Sequence, residues 1–139
     1  MLYFCKNIKY NDNVKWKGIN KMVVYIVQEP KPKNGWTPDF SKAAEYGRLE
    51  RVFTPDQRVC SMPTRYMREA MNTLKEFDAE DDFILWPNLG DPTALQCVCF
   101  ALALLGFNKV RFLYWNRKRD SDGNKTDGFY MPLEFNLEK

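Results

Sequence analysis

The sequence has no histidine among its 139 residues, and this absence limits the chemistry it can perform. Serine–histidine and cysteine–histidine nucleophiles, histidine zinc sites and histidine acid–base steps are excluded. The glycine patterns of dinucleotide-binding loops and of Walker-type phosphate loops are also missing, so the sequence gives no support for a nucleotide cradle. We therefore expect a protein that is not an enzyme and holds no cofactor.

Paired cysteines and long apolar runs are missing as well. None of the four cysteines (Cys5, Cys60, Cys97 and Cys99) belongs to a Cys-x-x-Cys pair. We expect all of them to be small apolar core residues of a reducing compartment, with neither a disulfide nor a metal site. The longest apolar run, Cys97 to Leu105, has about half the length that a membrane span needs, so no membrane partner is expected.

Positive charge is concentrated in one segment of the chain. Residues 1–21 hold five lysines and one aspartate, a net charge of +4, which leaves −1 for the rest of the chain's total of +3. A strong strand pattern begins directly after Met22. Either residues 1–21 form a real flexible arm, which could attract phosphates, or Met22 is the native start and the segment is not native. We favour the second interpretation and expect residues 22–139 to form a single domain.

Hydrophobic periodicity predicts an α/β fold. The β-branched run Val23 to Gln28 predicts a strand covered on both faces. A short helix is expected from Phe40 to Tyr46, and a longer one is expected from Pro63 to about Phe77. Further strands are predicted at Arg48 to Phe53, Arg58 to Met62 and Phe83 to Trp86.

The stretch from Asp82 to Phe107 reads as a buried strand, a tight loop and a helix with almost no polar face. A helix this apolar is expected to lie beneath other elements. Gly106 and Asn108 then predict its end.

The last part of the chain predicts a β-hairpin. Its first strand is expected from Lys109 to Arg117 and its second from Phe129 to Leu137, with a charged loop between them. Pro132 cannot donate to a ladder, so the second strand is predicted to lie at a sheet edge. The complete prediction is a mixed, mainly parallel sheet of about five or six strands, with two main helices and a C-terminal antiparallel hairpin.

The first candidate site is the loop of Asn88, Gly90 and Asp91, beyond the carboxyl end of a strand and at a helix N-terminus. Open α/β sheets bind ligands at such positions, and free amides there could hold an anion. However, Asp91 followed by Pro92 is also the usual pair for an N-cap and a first helical residue, and its carboxylate would then occupy those amides. We favour the capping interpretation.

The second candidate site is a basic and aromatic cluster on the hairpin, made of Arg111, Trp115, Arg117, Lys118, Arg119 and Tyr130. Aromatic side chains beside basic ones can stack on bases and neutralise phosphates. Three aspartates in the hairpin loop offset this charge, and alternating aromatics are also typical of sheet packing or of a protein-binding edge. A magnesium site would need carboxylates such as Glu29 and Asp91 to converge, which their spacing does not require, so no metal is expected.

Several short elements together resemble a family of short proteins encoded by tailed bacteriophages. They are a Tyr-Gly-x-Leu element at residues 46–49, the Gly-Asp-Pro turn at 90–92, the Leu-x-Trp-x-Arg strand at 113–117 and the Tyr-x-Pro element at 130–132. The likeness covers about residues 22–137, and it departs at Trp86 to Leu89, which enlarge the loop before the glycine. The resemblance implies a viral protein in the host cytoplasm and brings no particular activity.

We therefore predict a phage accessory protein that acts by binding. The favoured partner is a host or viral protein, or a second copy bound through the C-terminal edge strand. Nucleic-acid binding by the hairpin is the first alternative, and binding of a small ligand or anion at residues 88–91 is the second.

Overall fold

The computed structural model describes residues 22–35, 38–87 and 90–138. The predicted extension, residues 1–21, lies outside the described residues, and so does Asn88 of the candidate loop. The strands are β1 (Val23–Gln28), β2 (Arg48–Phe53), β3 (Phe83–Leu85), β4 (Lys109–Arg119) and β5 (Lys125–Asn136). The helices are α1 (Pro63–Leu74) and α2 (Pro92–Leu104), and short 3-10 helices lie at Ala43–Tyr46 and Val59–Ser61.

The strands of the described residues form one sheet in the order β2-β1-β3-β4-β5. β1 to β4 are parallel to their neighbours, whereas β5 pairs with β4 in the antiparallel direction. Helix α1 connects β2 to β3 and helix α2 connects β3 to β4, as helical crossovers between parallel strands require. This arrangement confirms the predicted α/β fold, including the antiparallel hairpin and the edge position of the strand that carries Pro132.

Alternate residues of β1 enter two separate cores, because successive side chains of a strand point to opposite faces. Tyr25 lies with α1 and α2 on one face of the sheet. Val24 and Ile26 lie on the other face, where they meet Ala43 of the first 3-10 helix and Leu113 of β4. β1 is therefore buried along its whole length, as its unbroken apolar run predicts.

Helix α2 differs from the prediction that it lies beneath other elements. One side of it is buried, but Phe100 and Leu104 on the outer side are 57% and 53% exposed. The helix covers a single sheet face with α1 as its neighbour, so no layer among the described residues lies above it. Its end agrees with the prediction, because Gly106 adopts a φ of +94° and Phe107 donates to the carbonyl of Leu102 at 3.1 Å, which closes a Schellman motif.

Two segments predicted from local patterns are different in the structure. The strand predicted at Arg58 to Met62 is wrong, because the chain forms a 3-10 turn there to enter α1, and only Val59 of that turn is buried. The helix predicted at Phe40 to Tyr46 is reduced to the 3-10 turn Ala43–Tyr46. It ends where Gly47 passes so close to the backbone of Met22 that a Cβ would lie 2.7 Å from its carbonyl oxygen.

Smaller corrections concern the hairpin, α1 and the cysteines. β4 and β5 extend into the region predicted as a loop, so the connection is only residues 120–124. α1 ends at Leu74 rather than near Phe77. Of the described cysteines, Cys97 is buried as predicted, whereas Cys60 and Cys99 are exposed, because they lie on the outer sides of their helical turns.

Candidate functional site

The Gly90–Asp91 loop is built around a helix cap. The Asp91 carboxylate accepts from the backbone N–H of Thr93 through Oδ1 and from that of Cys60 through Oδ2, each at 2.9 Å. The hydrogen bond from the Thr93 N–H holds the pKa of Asp91 below its usual range. Gly90 has a φ of +100° with open space around it. The carboxylate thus already accepts from two backbone N–H groups that an anion would need. Anion binding at this loop stays a prediction.

The carboxylates considered for a metal site have other partners in the structure. Glu29 is paired with Arg51 of β2, whereas Asp91 caps α2. Asp82 is 2% exposed and accepts from the backbone N–H groups of Val23 and Asp78, so it fastens the start of β1 to the turn before β3. Among the described residues, no group of three or more His, Cys, Asp or Glu side chains could hold a metal ion.

Arg111, from the predicted nucleic-acid cluster, contributes to packing at the start of the hairpin. Its guanidinium lies over the ring of Phe83, 4.1 Å from the centroid, and its Nη2 donates to the carbonyl of Glu80 at 2.6 Å. Its Nε is buried and has no hydrogen-bond partner within the part of the chain that the structure describes. Arg111 is therefore held against the sheet, and its contact with a nucleic acid stays a prediction.

Trp115 and Tyr130 pack against each other on the same face, with ring centroids 4.8 Å apart. Gly128 gives the indole room, since a Cβ there would lie 1.8 Å from Trp115 Cζ2. The segment before β2 closes over this pair: Lys42 Nζ donates to the Gly128 carbonyl at 2.6 Å, and the Tyr46 hydroxyl donates to the Tyr130 carbonyl at 2.9 Å. These two aromatic rings are thus partly covered.

The remaining basic residues of the cluster lie beyond this packed region. Arg117 and Arg119 are exposed, and Arg119 Nη1 donates to the carbonyl of Gly123 in the hairpin turn at 2.7 Å. The side chain of Lys118 lies outside what the structure describes. The structure thus divides the predicted cluster into packed residues at one end and exposed arginines at the other.

The opposite face of the hairpin carries a contiguous exposed apolar surface. We call it the hairpin apolar face, and it consists of Tyr114, Met131, Leu133 and Phe135. The β4–β5 register places Tyr114 beside Met131, and Leu133 and Phe135 follow at alternate positions on the same side of β5. Each of these side chains is between 40% and 57% exposed, and Leu137 just beyond the strand is 82% exposed. No element of the described residues covers this row, because β5 lies at the edge of the sheet.

A second exposed apolar region lies between the two helices and was not predicted from the sequence. Phe100 and Leu104 of α2 belong to it, and a shallow groove of about 260 Å³ runs beside them. Its lining residues come from the first turns of α1 and from α2: Pro63, Thr64, Met67, Thr93, Gln96, Cys97 and Phe100. The uniform apolar character of α2 hid this region, because periodicity cannot identify an outer side when nearly every position is apolar.

Comparison with known proteins identifies a family of phage proteins. A family model described as Phage Pam3 gp32-like protein matches residues 22–137 of the chain. No curated protein and no solved structure gives a significant match. In the described residues, no helix is long and apolar enough to cross a membrane. Because the match spans most of the sequence, the chain belongs to the Phage Pam3 gp32-like protein family.

Proposed function

We propose that this phage protein acts without catalysis, by binding a protein through the hairpin apolar face, either a host or viral protein or a second copy of itself. The observation that carries the proposal is a row of four large apolar side chains exposed together on the edge hairpin. Contiguous exposed apolar surface of this kind is typical of protein-binding sites. An edge strand adds unpaired backbone groups that a partner strand can use.

The size of the surface supports a binding role. Each side chain of the hairpin apolar face leaves about half of its area exposed, on the order of 100 Å². Burying that area is worth about 2.5 kcal/mol per side chain, so the four together contribute about 10 kcal/mol. This is comparable with the estimated cost of bringing two proteins together, about 4–15 kcal/mol. Burial of these side chains therefore offsets much of the cost of association, and strand hydrogen bonds would have to supply the rest.

A capture experiment with matched leucine variants tests the proposal. Leu133→Lys disrupts the hairpin apolar face, whereas Leu104→Lys alters an equally exposed leucine of α2, and the two residues are 49% and 53% exposed. Each full-length variant is immobilised and incubated with lysate of infected host cells at low and high salt. We expect a defined partner that the wild type and Leu104→Lys retain at high salt and that Leu133→Lys loses.

Two outcomes would contradict the proposal. One is capture of the same proteins by all three chains. The other is a partner that only Leu104→Lys loses, which would assign binding to the helices instead.

Nucleic-acid binding is the second candidate, and exposed Arg117 and Arg119 favour it. Fluorescence anisotropy with labelled single- and double-stranded DNA tests it, because phosphate contacts weaken steeply as salt increases. If this candidate is correct, the binding constant of the double variant Arg117→Gln/Arg119→Gln depends less steeply on salt concentration, because each arginine that is replaced removes roughly one phosphate contact. If the protein-binding proposal is correct, neither DNA binds at physiological salt.

A further inference from the structure

The backbone N–H and C=O groups of β5 alternate in direction. Those of one residue point inward to β4, and those of the next point outward to the free edge of the sheet. The N–H of Leu137 donates to the carbonyl of Asn108 at 2.8 Å, so odd-numbered residues at this end of the chain bond towards β4. In an antiparallel ladder the direction alternates from one residue to the next, so the groups of the even-numbered residues point to the free edge. Pro132 is one of these, and its missing N–H therefore costs the hairpin no hydrogen bond.

One half of this free edge is already covered. The outward carbonyls of Gly128 and Tyr130 accept from Lys42 and Tyr46, which come from the segment before β2. Among the described residues, the open half begins at Pro132 and continues to residue 138, where the outward N–H of Glu138 donates to Asn136 Oδ1 at 2.9 Å. It coincides with the most exposed apolar side chains of the hairpin, since Phe135 is 57% and Leu137 is 82% exposed.

We propose that the open half of the β5 edge pairs antiparallel with the same edge of a second copy, with the two-fold axis at Phe135. This inference rests on the proposed function and names the partner of its binding surface. An axis at Phe135 uses the whole of residues 132–138 and none of the covered half. An axis at Leu133 would instead place Asn136 of the second copy against Tyr130, where the Tyr46 hydroxyl already lies.

The side chains are complementary in this register. On the apolar side, Phe135 meets its own copy and Leu133 lies opposite Leu137 of the second copy. On the other side, Glu134 lies opposite Asn136 of the second copy, so no two like charges are directly opposed. Outward N–H and C=O groups of Glu134 and Asn136 form the central hydrogen bonds, and the Pro132 carbonyl remains available as an acceptor.

The expected dimer is weak and reversible. Leu133, Phe135 and Leu137 each expose on the order of 100 Å², so two copies bury about 600 Å² of apolar side-chain area. This is below the roughly 1,200 Å² of a standard stable interface, even before main-chain area is added. A dissociation constant between about 10 µM and 1 mM is consistent with such an interface.

Sedimentation velocity of the full chain over a concentration series tests the proposal. Phe135→Lys places two positive charges on the axis and is expected to weaken dimerisation at least about tenfold. Phe100→Lys is the matched control, because Phe100 is the same residue type with the same 57% exposure on α2, and it should leave the dimer unchanged. Since Phe135 also packs on Phe112, Leu137→Lys serves as a second variant at a position with little packing.

A cysteine experiment tests the register. In a chain whose Cys5, Cys60 and Cys99 are replaced by serine, Phe135→Cys should form an intermolecular disulfide with oxidised glutathione. Residue 135 of one copy lies directly opposite residue 135 of the other, so their Cβ atoms are about 5 Å apart, close enough for a disulfide after a small adjustment. Met131→Cys on the same face should not cross-link, and faster cross-linking by Leu133→Cys would overturn the register.

The outcomes separate the two proposals. A chain that stays monomeric at the highest concentration, or a dimer that Phe135→Lys and Phe100→Lys weaken equally, overturns self-pairing. The protein-binding proposal then still stands if Leu133→Lys loses a captured partner. If the wild type dimerises as expected but no other protein is captured, the second copy is the partner.

Discussion

Replacement of the buried aspartate at the start of β3 gives the sharpest prediction about stability. Asp82 is 2% exposed, and its two carboxylate oxygens accept from the N–H groups of Val23 and Asp78 at 2.9 and 2.8 Å. Burial is the main cause that raises its pKa to about 7, against hydrogen bonds that lower it, and the charges of Asp78 and Asp81 raise it further. We predict that Asp82→Asn changes the pH dependence of folding.

The sign and the magnitude follow from proton linkage. Above pH 3.8 the unfolded chain releases the proton of Asp82, whereas the folded chain keeps it up to about pH 7. The free energy of unfolding therefore decreases as pH rises through this window, by about 1.4 kcal/mol per pH unit and about 4 kcal/mol at most. Asn cannot titrate, but it has only one side-chain oxygen. Its NH2 group would face the Asp78 N–H, so two donors would oppose each other at a cost of about 1–3 kcal/mol at every pH.

Urea unfolding followed by circular dichroism between pH 4.5 and pH 8 measures the free energy of unfolding of the wild type and of Asp82→Asn. The variant should be less stable than the wild type at pH 4.5, and the gap should close or reverse by pH 8. Carboxylates with lowered pKa values, such as Asp39 and Asp91, titrate below this window and are the same in both chains. Parallel stability curves for the two chains across the window would refute the reasoning.

Two substitutions test other local features of the fold. Asp91→Ala removes the cap of α2 and its bond from the Thr93 N–H, so we expect a loss of about 1–2 kcal/mol of unfolding free energy by urea denaturation, and no loss would contradict the capping role. Gly128→Ala should destabilise the hairpin by at least about 2 kcal/mol and change the near-ultraviolet circular dichroism, because the new Cβ meets Trp115. Gly123→Ala is its control, since Gly123 has open space around it but a φ of +82°, and only a small backbone cost of about 1 kcal/mol is expected there.

The elements that were predicted correctly are those whose sequence signal is set locally. The apolar run of β1, which is rich in β-branched residues, Pro92 after Asp91 at the start of α2, and the hairpin each agree with the structure. The prediction of Pro132 at an edge is confirmed because the chemical constraint, a missing donor, holds in any tertiary context.

The errors occurred where long-range contacts override local preference. Val59 and Cys60 look like strand residues, but Asp91, which is 31 positions away, takes the Cys60 N–H and the chain turns into α1. Arg111 and Trp115 stay predicted ligand-binding residues, but nothing in the sequence indicated that distant segments pack against them, Phe83 against Arg111 and Lys42 against Trp115. None of these three contacts can be recognised from the sequence around Cys60, Arg111 or Trp115.

The two faces of the hairpin show why its apolar side requires an explanation. On one face Trp115 and Tyr130 are packed and the neighbouring edge carbonyls are satisfied, as expected for a protein that protects its sheet edge. On the other face, Phe135 and its neighbours remain exposed beside an edge that no other strand of the described residues pairs with, and such an edge favours aggregation unless a partner covers it. Pro132 removes one outward N–H at the start of the open half, which limits how far another strand can pair with it. A short apolar edge of this kind suits a specific and reversible interface, and the contrast between the two faces therefore supports the proposal that the hairpin apolar face binds a protein.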